Sequence, residues 1–199
     1  MRTTLLLVVP LALLTACDSD AVGCEGMGTC ICQDRACACV GADCDVGCDI
    51  GNCAVQCQSG DCRQDCNAAS GCASTCDGSS CNVSCDQTPQ CAIVCNAGTC
   101  TQSCEAARDC GMSCSGTSCD LSCGTAERCA STCAAGDCTI RCDAATECGL
   151  ACQGDSACHM QCSGGTCALA CATGTTCECT GSGCVLTCNG TLYAGGRCE

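Results

Sequence analysis

From Cys44 onward the chain repeats one short pattern: Cys, a variable residue, a mostly apolar residue, a variable residue, Cys. Fifteen such Cys-x3-Cys units begin at Cys44, 53, 62, 72, 81, 91, 100, 110, 119, 129, 138, 148, 158, 167 and 184. The middle residue distinguishes strand from helix. In a strand, positions i, i+2 and i+4 share a face. In a helix, i and i+4 share a face and i+2 points away. The middle residues are Val46, Val55, Gln64, Ser74, Val83, Ile93, Gln102, Met112, Leu121, Ser131, Ile140, Leu150, Met160, Leu169 and Leu186, and eleven of the fifteen are aliphatic or Met. Only two of the thirty flanking residues, Val94 and Val185, are large aliphatics. That alternation has period two and predicts short strands, with both Cys and the middle residue inward.

The units fall into two interleaved series, one at Cys62, 81, 100, 119 and 138 and one at Cys72, 91, 110, 129, 148 and 167, each advancing by 19 residues. One repeat therefore holds two strands, and a repeat of that length predicts a solenoid. The shortened unit Cys177-Glu178-Cys179 fills the remaining slot. Connectors from the second series back to the first each contain a glycine (Gly60, 78, 98, 116, 136, 154, 174), expected to supply the positive φ of a tight corner. The fold class expected is all-β: a flattened, disulfide-stapled β-solenoid of about eight coils, on the order of 40 Å long. An antiparallel meander shares the local pattern but leaves one Cys-lined face uncovered.

A disulfide within one Cys-x3-Cys strand is excluded, because its Cα atoms would lie about 13 Å apart. Two strands facing each other across a coil would join Cys104 to Cys110 and Cys100 to Cys114. The rival pairing joins successive coils, as in Cys114–Cys119.

Composition explains why Cys is the core. The 199 residues include 39 Cys, one Tyr (Tyr193), no Trp and no Phe, so the side chains that normally supply most buried apolar area are scarce. Cys at this density in an exported chain reads as a disulfide scaffold. There is no Lys, and the seven basic residues are Arg. All 21 acidic residues follow Cys17 while Arg2 precedes it, which leaves 6 − 21 = −15 beyond that point. No nucleic-acid partner is expected, since phosphate binding needs clustered cations.

The first residues read MRTTLLLVVPLALLTAC. Arg2 is a short positive region, and Leu5 to Leu14 form an apolar run too short to span a bilayer. The end, Leu14-Thr15-Ala16-Cys17, resembles the lipobox of bacterial lipoproteins. That resemblance implies cleavage before Cys17, a diacylglycerol on its sulfur, and a membrane as partner through that lipid. The remaining 39 − 1 = 38 Cys are even in number and can pair completely. The organisation expected is a signal peptide over 1–16, a lipidated N-terminus and linker over 17–23, an irregular Cys-rich first coil over 24–43, the solenoid over 44–188 and a C-terminal cap over 189–199.

Three Cys-x-Cys pairs (Cys30/Cys32, Cys37/Cys39 and Cys177/Cys179) are similar to metallothionein spacings, and thiolates bind soft metals. Cys30, Cys32, Cys37 and Cys39 are thus the alternative metal ligands. Against this, no Cys-x2-Cys occurs and export favours oxidation. The single His, His159, has an outward flank position and no nucleophile elbow beside it. Carboxylates at corners, Glu105, Asp109, Asp143 and Glu147, could stack as a calcium ladder, although Arg108 and Arg128 interleave with them. An outward ladder of Thr75, Val94, Ser113 and Thr132 is too irregular for an ice-binding face. The architecture, not the surface, is similar in principle to the cystine-stapled solenoids of insect antifreeze proteins.

No cofactor and no catalytic residue are expected. The function expected is a non-enzymatic, lipid-anchored cell-envelope protein, a structural or adhesive module. The alternative is a metal-sequestering or thiol-redox-buffering protein.

Overall fold

The computed structural model describes residues 22–23, 29–32, 36–40, 43–194 and 196–198. Among these residues the fold is all-β, and successive strands go alternately to two sheets. One sheet runs from Val22–Gly23 through Ala36–Cys39, Asn52–Cys57 and every second strand to Cys184–Cys188. The other runs from Thr29–Ile31 through Cys44–Gly47 and Asp61–Asp65 to Thr176–Gly181. Within each sheet these strands are parallel and stacked in register. Cys110 lies between Cys91 and Cys129, and Cys100 between Cys81 and Cys119. The result is a β-solenoid of about eight coils with two strands per coil, as the 19-residue period predicts.

All fifteen middle residues of the Cys-x3-Cys units are buried, together with every cysteine that flanks them except the half-buried Cys188. The interior is thin. Ile93, Leu121, Ile140, Met160, Leu169 and Leu186 are its largest fully covered apolar side chains. The slot is strict enough to bury polar residues too: Gln64, Ser74, Gln102 and Ser131 occupy it where other coils place Val, Ile or Leu. The long Gln64 is followed in the next strand by the short Ser74, and Gln102 by the long Met112.

Cystines close the chain at each corner, and they do so sequentially. Cys104 is joined to Cys110 across a five-residue corner, with a Cα separation of 6.4 Å. Cys100 and Cys114 are not joined to each other, in contrast to the facing-strand expectation. Cys100 pairs with Cys95 and Cys114 with Cys119, each at a Cα separation of 6.2 Å. The reason lies in chain proximity: Cys95 and Cys100 flank a single corner, whereas Cys100 and Cys114 are separated along the chain by a whole strand and a second corner. Pairing with Cys95 closes a ring through only four corner residues, which restricts less chain than a ring through the intervening strand and second corner.

The corners stack as tightly as the strands. Thr99 N–H donates to Ser79 O at 3.0 Å and Thr117 N–H to Gly98 O at 2.8 Å, continuing the ladder around the bend. Gly98 has φ of 68°, and a Cβ there would lie 2.1 Å from Ser79 O. The expectation of positive φ at every such glycine does not hold at Gly78 and Gly116, which are outside the left-handed region. Glycine is needed there for close approach instead: a Cβ on Gly116 would meet Gly98 O at 2.5 Å.

The Cys-x-Cys pairs follow the same lattice with one cysteine shifted to the middle slot. Cys30 stands beside Val46, Cys37 beside Val55 and Cys179 beside Met160. At the third of these, Gly181 takes the place in line with Cys162, where a Cβ would clash with Cys162 O at 1.8 Å, and the bridge to Cys184 moves back to Cys179. The described part of the 24–43 segment therefore belongs to the stack. At the other end, Thr191–Tyr193 and Gly196–Cys198 run antiparallel to the last strand of each sheet, and Cys188–Cys198 ties them down.

Candidate functional surfaces

A rod with a filled interior offers its two sheet faces, its two edges and its ends. The faces differ sharply. On the sheet containing Asn52–Cys57, the two central outward columns read Ala54, Ala73, Ala92, Gly111, Ala130, Gly149, Ala168, Val185 and Gln56, Thr75, Val94, Ser113, Thr132, Ala151, Ala170, Thr187. None of these residues is charged. The opposite sheet carries Asp45, Arg63, Asp65, Asp120, Arg141, His159 and Glu178 outward. There Arg141 Nη1 donates to Asp120 Oδ1 at 2.7 Å.

The corner carboxylates form a mixed ladder. Asp109, Arg128 and Glu147 are register neighbours, so a guanidinium separates the two carboxylates. Arg128 Nε donates to Asp109 Oδ1 at 2.5 Å. That hydrogen bond, with the attraction of Asp109, Glu127 and Glu147, raises the Arg128 pKa above its ordinary value. Arg108 Nε lies 3.4 Å from Glu127 Oε2. Charges exposed in this way contribute little to stability. Glu105 and Asp143 are exposed on other corner positions.

His159 projects from Ala157–Cys162 on the charged face, between Thr139 and Glu178. Its Nδ1 is 3.6 Å from Glu178 Oε2, and both side chains are largely solvated. With Asp137 and Arg197 they line a shallow open groove. The arrangement is a solvent-exposed contact on an open face rather than a buried, oriented base.

The sulfurs pack densely. The Sγ atoms of Cys39, Cys57 and Cys62 lie within 4.8 Å of one another, as do those of Cys30, Cys32 and Cys37. All of these cysteines are in disulfides, Cys32 with Cys37 and Cys39 with Cys44 among them. A cystine sulfur lacks the thiolate charge that makes Cys a strong soft-metal ligand. The paired cysteines point instead to an oxidising, extracytoplasmic environment. Cys17 lies outside the described residues.

Two features went unread in the sequence. One is the charge-free face, visible only when all flank residues are sorted by series. The other is a contact between buried amides and sulfur. Gln102 Nε2 donates to Cys91 Sγ and Cys110 Sγ, both at 3.1 Å, and Gln64 Nε2 donates to Cys72 Sγ at 3.0 Å. Among the described residues, large exposed apolar side chains lie toward the ends: Ile31, Val40 and Ile50 at one, Val185, Leu192 and Tyr193 at the other. No family model, no curated protein and no solved structure matches the chain.

Proposed function

We propose that this chain is a non-enzymatic, lipid-anchored protein of the bacterial cell envelope, a rigid structural or adhesive rod. The observation that carries this reading is the cystine at every described corner from Cys32–Cys37 to Cys188–Cys198. A core this thin depends on oxidation, and oxidation supports a site outside the cytoplasm. The Leu14-Thr15-Ala16-Cys17 sequence supports the anchor. Filled interior, flat faces and solvated charges suit a rod that presents surface rather than one that encloses a substrate.

The test is fractionation of the producing cell with intact-mass measurement. The natural chain is expected in the membrane fraction, beginning at Cys17 and carrying the mass of its lipid. Cys17→Ser is expected in the soluble exported fraction with its disulfides intact. A natural chain that is exported without lipid, or whose Cys17→Ser variant remains equally membrane-bound, would remove the anchor from this reading.

A further inference from the structure

We infer that the cystines along one edge of the rod form a thiol–disulfide exchange path, entered at Cys188–Cys198 and taking a dithiol as its reductant. Cystines on this edge are stacked in line. Cys188 is the register neighbour of Cys171, and Cys198 of Cys177, so the terminal cystine covers Cys171–Cys177. The same double register continues along the rod, with Cys133–Cys138 on Cys114–Cys119 and Cys57–Cys62 on Cys39–Cys44. Sulfurs of successive cystines are close. The Sγ atoms of Cys39, Cys57 and Cys62 lie within 4.8 Å of one another, and so do those of Cys57, Cys76 and Cys81.

Access selects both the edge and the end. Among the described cysteines only Cys30 and Cys188 are partly exposed. Cys188 belongs to the continuous stack. Cys30 adjoins Cys32–Cys37 on the other edge, and there the line is interrupted one coil on, because Cys37 stands beside Val55 rather than Cys53. The far end of that edge is interrupted too. Gly181 takes the place in line with Cys162, and Cys179 and Cys184 are both buried. An attacking thiolate must reach a disulfide sulfur, so a reductant in solution meets an unbroken stack only at Cys188.

The exchange balances. A thiolate of the dithiol attacks Cys188 Sγ and releases the Cys198 thiolate, and its second thiol resolves the mixed disulfide. The reductant leaves as a disulfide, and Cys188 and Cys198 hold its two electrons and two protons as thiols. The Cys198 thiolate then attacks Cys177 Sγ, forming Cys177–Cys198 and releasing Cys171. The Cys188 thiolate attacks Cys198 Sγ, which re-forms Cys188–Cys198 and releases Cys177. The two protons pass to Cys171 and Cys177, and the next coil repeats the exchange. One cystine closes for each that opens, between chemically similar corners, so the open pair descends with little net change in free energy while the other staples stay closed.

The test is anaerobic addition of one equivalent of dithiothreitol to the oxidised full chain, then acid quenching, denaturation, alkylation with N-ethylmaleimide and peptide mapping. Thiols are expected first at Cys188 and Cys198 and later down the stack. The edge holds nine described cystines, so at equilibrium about one-ninth of the thiols is expected to remain at Cys188 and Cys198. On the other edge, Cys85–Cys91 and Cys123–Cys129 are expected to stay closed. A chain that takes up no reductant, thiols that stay at Cys188 and Cys198, or thiols that appear equally on both edges would each overturn the inference. The double variant Cys133→Ser with Cys138→Ser cuts the stack. Thiols are then expected at Cys152 and Cys158 but not at Cys114 and Cys119, and alkylation of Cys114 and Cys119 at the natural rate would also overturn it. Circular dichroism establishes that the variant is folded. If it is not, the order and edge of labelling in the natural chain decide alone.

Discussion

Gln102 donates its side-chain amide to the sulfur of Cys110 at 3.1 Å, inside a coil where the neighbouring middle residues are Val83 and Leu121. Its Oε1 is buried without a hydrogen-bond partner, as is that of Gln64. Sulfur is a weak acceptor, so the bond only partly offsets the cost of covering an amide.

Gln102→Leu is therefore expected to stabilise the oxidised rod by about 1–2 kcal/mol, because it removes an unsatisfied buried carbonyl and restores the aliphatic slot. The check is guanidinium unfolding of the oxidised protein. A midpoint that moves upward fits; one that falls means the amide–sulfur contact is a net stabiliser.

Two glycines separate corner from face. Gly98→Ala is expected to cost about 1–3 kcal/mol, since φ is positive and the new methyl meets Ser79 O. Gly149→Ala adds a Cβ in ordinary contact, 4.0 Å from Ala168 O, and is expected to stabilise its strand by about 0.5–1 kcal/mol. The same unfolding experiment reads both, and equal effects would contradict the corner geometry.

Disulfide mapping distinguishes the two cystine arrangements that a coil permits. Partial acid hydrolysis under non-reducing conditions, followed by mass spectrometry, is expected to yield peptides linking Cys95 to Cys100 and Cys114 to Cys119. A peptide linking Cys100 to Cys114 would mean that the strands pair across a coil as facing partners.

Much of this was legible in the residues. Period two in Cys-x3-Cys, with Ile140 or Leu169 between the cysteines, sufficed to place the core, and the 19-residue step sufficed for the parallel stack. Even Gln64 and Gln102 follow from slot alone. The bridge pattern was legible only in part: facing strands give Cys104–Cys110, but the same reading joins Cys100 to Cys114, where the chain instead closes each corner in sequence, Cys95 to Cys100 and Cys114 to Cys119. Gly78 and Gly116 misled as well. Their need for glycine comes from the carbonyl of the corner below, Gly60 O for Gly78 and Gly98 O for Gly116, each 18 residues back, and not from their own φ. The charge-free face was present as flank residues, but it emerges only when the parallel register lines up Ala92, Gly111 and Ala130.

The central claim is that cystine takes the place of an apolar core. It is tested most directly by counting free thiols in the denatured protein, purified without reductant from its own envelope. Apart from Cys17 the chain has 39 − 1 = 38 cysteines, and the account predicts that almost none is free. Many free thiols, with metal retained in proportion before denaturation, would contradict it and make the chain a thiolate metal store.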